Sequence, residues 1–260
     1  MPRVTVTETA PAAETDPDRP FKTVLVPRLA PGRDRARARD RIVTRHGALV
    51  MSVPAFQDVF SRYAMNRVLT RTDGIPDPAL HLLYAPDATA LAVVEHVGPS
   101  RAAYLRARED PEYLARVRPE EEYLDRELLM GRPTMYDVRT EHVFGAAEPV
   151  GGIRVFDFVR RHSGITAEGL QAAVRAEGEL LAQDAEYRSV VRRREHDVVV
   201  GGLRGADHDV IVQLWLDDPA SLPRLASLTR RTEAARTPYA DVRGSFSLVA
   251  REHLVTARPR

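Results

Sequence analysis

One order of elements occurs twice in this chain, and it restricts the fold more than any single motif does. Phe21 to Arg28 is a β-rich run ended by Ala30-Pro31-Gly32, the punctuation of a strand followed by a turn. Asp34 can cap the next segment, where Ile42, His46, Leu49 and Val50 fall on one face, so the spacing predicts a helix over 34–51. Strands are expected over 60–69, 89–97 and 137–144, with helical spacing over 100–108 and 111–129 between the last two. The order is β-α-β-β-α-β. After Gly151-Gly152 it returns: a strand over 153–159, a helix over 166–183, strands over 187–200 and 209–216, a helix over 219–232 and a strand over 241–255. Residue identity between the halves is weak, and the repeat rests on layout.

That order is the ferredoxin-like unit, an antiparallel sheet with both helices on one face. The bare face of such a sheet needs a cover. Val24 and Val26 alternate with Leu25, and Val210 to Leu216 is apolar on both faces, as expected of strands covered on both sides. The expected fold is α+β: two ferredoxin-like units, 21–148 and 149–260, packed sheet to sheet as a pseudo-dimeric α/β barrel. A flexible arm is expected over 1–20. The length of 260 residues suits two small domains.

Charge and composition remove several functions. With 38 basic against 37 acidic side chains the net charge is +1, too small a field to steer the protein to nucleic acid or an anionic membrane. No cysteine is present, which excludes disulfides, thiolate nucleophiles and thiolate metal sites. Lys22 is the only lysine, a bias that fits a GC-rich bacterial genome. The first twenty residues hold no apolar run and no stretch elsewhere reaches the ~18 apolar residues of a membrane span. A cytoplasmic protein, monomeric or homodimeric, acting on a small molecule is expected.

Several residues stand where chemistry could use them. His46 shares a helix face with Ile42 and Leu49, which turns an imidazole toward the sheet, where it could move a proton near neutral pH. A buried histidine bonded to a carbonyl is the alternative. Glu177 lies within the apolar stripe of Leu170, Val174 and Leu181, a costly place for a carboxylate unless it is paired or protonated. It is either an acid-base group or one side of an ion pair with Arg154 or Arg160. Asp157, between Phe156 and Phe158, faces either a pocket or the helices. A gapless alignment of TALAVVEHV with HDVIVQLWL sets His96 opposite Trp215, so both could reach one cavity, Trp215 as a flat wall for an aromatic substrate. Ordinary core for Trp215 and an exposed edge for His96 is the other reading. Tyr63 and Asn66 point to opposite faces of their strand, and Tyr63 is the one expected to line the pocket.

Other patterns are weaker. His142, His162, His196, His208 and His253 show no metal-ligand spacing, and no metal is expected. Gly201, Gly202 and Gly205 read as turn residues, and Arg192-Arg193-Arg194 as a solvated edge that discourages sheet pairing.

The β-run before Arg28, the helix carrying Arg45-His46-Gly47-Ala48-Leu49, Pro54, and Tyr63 with Asn66 on the next strand together resemble the EthD-like family of dimeric α/β barrels. Asp110-Pro111-Glu112 and Glu120-Glu121-Glu122-Tyr123-Leu124-Asp125 extend the resemblance, which covers roughly 21–145; 152–256 looks like a diverged copy. The resemblance implies two fused units around a small cavity, in a family whose members include polyketide cyclases, dehydratases, decarboxylases, cofactor-free oxygenases and, more distantly, haem enzymes. The expected function is a lyase or cyclase of secondary metabolism with no cofactor. His46 would move the proton, Glu177 or Asp157 would be the complementary carboxyl group, and His96 or Tyr63 would polarise a carbonyl. The alternatives are a cofactor-free monooxygenase, a haem enzyme with an axial histidine from the second half, and a non-catalytic metabolite-binding protein.

Overall fold

The computed structural model describes residues 19–75, 82–145, 152–203 and 206–257. Most of the expected arm, Gly151 and Gly205 lie outside them.

Eight strands, β1 (Phe21–Val26), β2 (Arg62–Val68), β3 (Ala92–Gly98), β4 (Thr134–Gly145), β5 (Ile153–Val159), β6 (Arg193–Leu203), β7 (Val210–Leu216) and β8 (Phe246–Ala257), form one closed antiparallel barrel. Around it the order is β1-β3-β2-β8-β5-β7-β6-β4. Each half therefore supplies four adjacent strands. They join through β2 with β8, where Arg67 pairs with Arg251, and through β4 with β6, where Arg139 pairs with Val198. The expected α+β barrel is present, and the outer strands of the two halves close it by hydrogen-bonding edge to edge. Pairing both edges leaves no open ladder of backbone donors and acceptors.

Helices cover the outside. In the first half these are α1 (35–51), α2 (Arg101–Ala107) and α3 (113–128); in the second, α4 (Ala167–Gln183), α5 (Ala185–Val190) and α6 (Leu222–Arg236). The Asp34 side chain accepts from Arg37 N at 2.6 Å and starts α1, as the capping pattern predicts. The strand expected over 187–200 is corrected at its start: Asp184 caps Glu186 N and Tyr187 N at 2.8 and 3.1 Å, so Tyr187 belongs to α5. Arg192-Arg193-Arg194 is no solvated edge either. β6 is paired on both sides and Arg194 is buried.

Strand alternation divides the side chains between barrel and helices. Along β5, Phe156 and Phe158 join the barrel interior with Val24, Tyr136, Ile211 and Leu248, while Val155 and Val159 pack in the second helix layer. The rest of the interior is ionic. Lys22 Nζ lies 2.8 Å from Asp197, and Arg154 donates to Asn66 at 2.9 Å and Glu95 at 3.1 Å. Each of these pairs crosses from one half to the other. Side chains from both halves thus meet inside the barrel, where a pocket between the two sheets is expected. Among the described residues no helix is long and apolar enough to cross a membrane.

Candidate functional site

The chemistry-bearing groups of the first half collect outside the barrel, between its wall and α1–α3. His46 ends a wide π-type turn, Arg41–His46, inside α1. Such a turn adds a residue to the helical repeat and re-aims the side chains after it, a device frequent at functional sites. Gly47 then allows close approach, since a Cβ there would lie 3.3 Å from Met65 Cε on β2. Tyr63 and His96 are register partners across β2 and β3, and Thr23 pairs with His96 from β1. Rings close the group: His96 stands 4.6 Å from Tyr63, 4.9 Å from Phe60 and 5.9 Å from Tyr104.

Polar atoms here are short of partners. His46 Nδ1, His96 Nδ1 and Thr23 Oγ1 are buried without a hydrogen bond, and Tyr113 Oη lies near Glu121 without reaching hydrogen-bond geometry. Buried polar groups are nearly always satisfied, so such a cluster requires an explanation. Both histidines are half-buried.

Burial also sets their protonation. His96 is pushed down to about 3 by burial, assisted by Arg108 and His46, so it is neutral at physiological pH. His46 is lowered by burial too, but Glu121 and Glu120 oppose that shift while Arg108 adds to it. Tyr63 is raised by burial and keeps its proton. Arg108 donates to Tyr104 Oη and Glu121, both at 3.1 Å, and lies over the ring of Tyr113 at 5.3 Å.

The second half fills its helix layer differently. Glu177 on α4 accepts from Arg194 Nη2 at 2.8 Å, Arg236 Nε at 3.1 Å and Thr232 Oγ1 at 3.1 Å. Burial alone would raise its carboxyl, but the two guanidiniums outweigh burial and hold it at about 2. Its partners are thus Arg194 and Arg236 instead of the expected Arg154 or Arg160. Asp157 faces the helices: it accepts from Ser247 Oγ at 2.6 Å and lies 3.5 Å from Arg236 Nη1. Burial raises its carboxyl despite Arg236.

The expected meeting of His96 with Trp215 is corrected. In the ladders Val24 pairs with Glu95 and Phe156 with Gln213, and both Glu95 and Gln213 bond to Arg154 inside the barrel. The gapless alignment is therefore one residue out of register, and such a slip moves a side chain to the opposite face. Trp215 lies in the barrel beneath Arg154 and Arg193, at 4.4 and 5.2 Å, while His96 faces the helices.

The structure thus brings His46, Tyr63 and His96 into one layer, Glu177 and Asp157 into another, and Trp215 into the barrel. Sequence reasoning missed Thr23, Tyr104, Arg108, Tyr113 and Glu121 as members of the first layer. Alternation along β1 could have found Thr23. Among the described residues no group of three or more His, Asp or Glu could hold a metal ion. A second-half histidine as haem ligand fits poorly. His196 Nε2 accepts from Arg194, both nitrogens of His208 bond, to Tyr136 and Gly244, and His162 and His253 are exposed.

Residues 30–126 match the EthD domain, within the stretch where the sequence resembles that family. No curated protein matches the sequence. Among solved structures, an anthrone oxidase-like protein is similar at 10% identity with a TM-score of 0.57, over 94% of this chain and 98% of that one. A candidate monooxygenase from Fusobacterium nucleatum is similar at 6% identity with a TM-score of 0.50, over 92% and 93%. A haem-binding protein from Thermus thermophilus gives 14% identity and a TM-score of 0.46, over 91% and 94%. At such identities these likenesses concern the fold.

Proposed function

Since the chain carries an EthD domain over residues 30–126, we propose that its first helix–sheet layer is the active site of an enzyme that moves protons on a small aromatic or polyketide-like molecule. The observation that carries this reading is the pair of half-buried imidazoles, His46 and His96, whose Nδ1 atoms find no partner in the protein.

His46 is assigned as the proton acceptor: burial lowers its affinity for a proton, and nearby Glu121 and Glu120 oppose that lowering. A carbon flanked by carbonyls or a phenolic ring loses its proton to such a base, and help of this kind is worth ~10²- to 10⁴-fold. His96 stays neutral and Tyr63 stays protonated, so both can hydrogen-bond the oxygen on which charge develops. Phe60, Tyr104 and Tyr113 supply flat walls. The enolate then attacks a second carbonyl of the same molecule or expels a β-hydroxyl as water; in a decarboxylation the loss of CO₂ leaves the enolate, and protonated His46 returns the proton to carbon, so that each case is chemistry built from side chains alone. Glu177 and Asp157, already bonded to arginine and serine, support the second half and take no part. The anthrone oxidase-like fold relative favours a second reading, in which the same carbanion meets O₂. Strand order supports one structural inference as well: β4-β1-β3-β2 and β8-β5-β7-β6 are the order of two ferredoxin-like units fused in tandem.

The test is turnover of a panel of phenolic and polyketide-like compounds with an oxygen electrode in line. Product formed without O₂ uptake supports the lyase; uptake matched to product supports the oxygenase. In either case His46→Ala lowers kcat by ~10²- to 10⁴-fold with the fold intact, and a fully active His46→Ala overturns the assignment.

A further inference from the structure

The helix layer of the second half is not closed throughout. Beside the Glu177 ion pairs lies a recess of about 10 Å³, lined by Leu83, Tyr84, Arg236, Thr237, Ala240 and Val242. That is room for one occupant about the size of a water molecule. Two polar atoms of its lining residues, Tyr84 Oη and Arg236 Nη1, are buried without a hydrogen-bond partner. Both residues are only 4% exposed, and the two groups lie close together without reaching hydrogen-bond geometry. Buried donors are nearly always satisfied, so the protein alone leaves this pair short of one acceptor. Val242 and Thr237 are exposed, which gives a small ion a way in from solvent.

Local structure fixes both donors. Tyr84 belongs to the first half but is tied onto β8: its N–H donates to Ser247 Oγ, and Ser247 N–H donates to Ala85 O, both at 3.3 Å. Arg236 ends α6 and gives its Nε and Nη2 to Glu177. A guanidinium keeps its charge at any physiological pH, so Nη1 brings a positive charge to the recess. Glu177 already answers two guanidiniums, those of Arg194 and Arg236. The next carboxyl group is Asp157, 3.5 Å from Nη1 and outside hydrogen-bond geometry. Burial raises that carboxyl, which weakens it as a counter-charge.

We propose that the recess between Tyr84 and Arg236 binds one small monovalent anion, chloride in the cell, and that Asp157 carries a proton in the bound state. The anion accepts from Arg236 Nη1 and Tyr84 Oη. Protonated Asp157 brings no opposing charge and offers a further donor. The groups that face Asp157 are Arg236 from α6, Ser247 from β8, Arg194 from β6 and Glu177 from α4, with Tyr84 beside them. A water would fill the same space by donating to an ionised Asp157, so halide and pH dependence separate the two occupants. Since Tyr84 comes from the first half, the anion pins that segment to the second-half layer. The site lies outside the layer assigned to proton transfer and stands independently of it.

Thermal unfolding of the full chain in sodium chloride and in sodium gluconate at equal ionic strength tests the site. Chloride at ten times its dissociation constant raises Tm by ~3–5 °C over gluconate. The gain is larger at about pH 5.5 than at about pH 8, because an anion that binds together with a proton binds more tightly as pH falls. Tyr84→Phe loses the chloride gain, and Asp157→Asn keeps the gain but loses its pH dependence. Anomalous diffraction from crystals grown in bromide places the ion between Tyr84 and Arg236, and it decides the matter if Tyr84→Phe does not fold. Equal Tm values in the two salts at both pH values overturn the site, as does a chloride gain that survives in Tyr84→Phe or a water alone in the recess of the bromide crystals. A pH dependence retained in Asp157→Asn overturns the part assigned to Asp157.

Discussion

Between α1 and the barrel wall the chain sets His46 among Tyr63, His96 and Tyr104; between α4 and the wall it sets Glu177 against Arg194 and Arg236. Glycine lets both helices approach. A Cβ on Gly47 would lie 3.3 Å from Met65, and one on Gly178 would lie 2.7 Å from His196 Cε1. Yet the second layer saturates its carboxylate with guanidinium donors, whereas the first leaves imidazole nitrogens and a threonine hydroxyl unpaired. A buried charge with its partners in place adds order to a fold. Buried polar atoms held without partners keep hydrogen-bonding capacity for something outside the chain. Burial of a titratable group alone therefore does not mark a site. The second layer has unpaired atoms of its own, Tyr84 Oη and Arg236 Nη1, and the two layers differ in whether the central group, Glu177 on one side and His46 with His96 on the other, has its partners.

The largest expected effect tests this contrast directly. Glu177→Leu strands Arg194 and Arg236 in the interior, and loss of one partner from a buried ion pair costs ~3–5 kcal/mol in denaturant unfolding. His46→Leu removes a polar atom that has no partner and falls below ~1 kcal/mol. Equal losses in the two variants would mean that both layers are structural, and the contrast would collapse.

Acid unfolding sharpens it next. The His96 pKa is depressed from 6.5 to about 3. Its neutral form therefore contributes stability that is complete above pH 6.5 and is lost as pH falls toward 3, at ~1.4 kcal/mol for each tenfold change in proton affinity. Glu177, held at about 2 against an ordinary 4.5, contributes stability present above pH 4.5 and lost as pH falls toward 2. His96→Phe therefore flattens the stability curve between pH 6.5 and 3, and Glu177→Gln flattens it only below 4.5. The comparison fails if the His96→Phe curve keeps the original slope through pH 5.

The smallest effects concern two hydroxyls. Thr23→Val removes an unpaired Oγ1 and changes stability by less than ~1 kcal/mol in either direction, whereas Ser247→Ala removes the donor 2.6 Å from Asp157 and costs ~1–3 kcal/mol. A Thr23→Val loss as large as that of Ser247→Ala would show that Thr23 has a partner after all.

Much of the fold is legible in the sequence because it is periodic. Asp34, the apolar spacing after it and the run Val210 to Leu216 identify their elements locally, and the twofold recurrence of the element order holds in the barrel. Tyr187 reads as strand only when a β-prone residue is weighed without the Asp184 cap that starts a helix before it. The candidate site is legible in part. Periodicity alone turns His46 toward the sheet, and alternation separates Tyr63 from Asn66. Arg108 and Glu121 are not visible as site members, because their effect on the imidazoles depends on where α2 and α3 come to lie.

The sequence by itself determined which segments become helix or strand, that the two halves share a layout, and that one helix carries an imidazole on its buried face. These are properties of neighbouring residues, fixed by backbone geometry at periods of two and 3.6. Tertiary structure decided the rest: that the halves close edge to edge, that Trp215 and His96 face opposite ways, and that Glu177 meets Arg236, 59 residues away. Pairing across such separations is set by strand register and helix placement, and a shift of one residue in register exchanges core for surface.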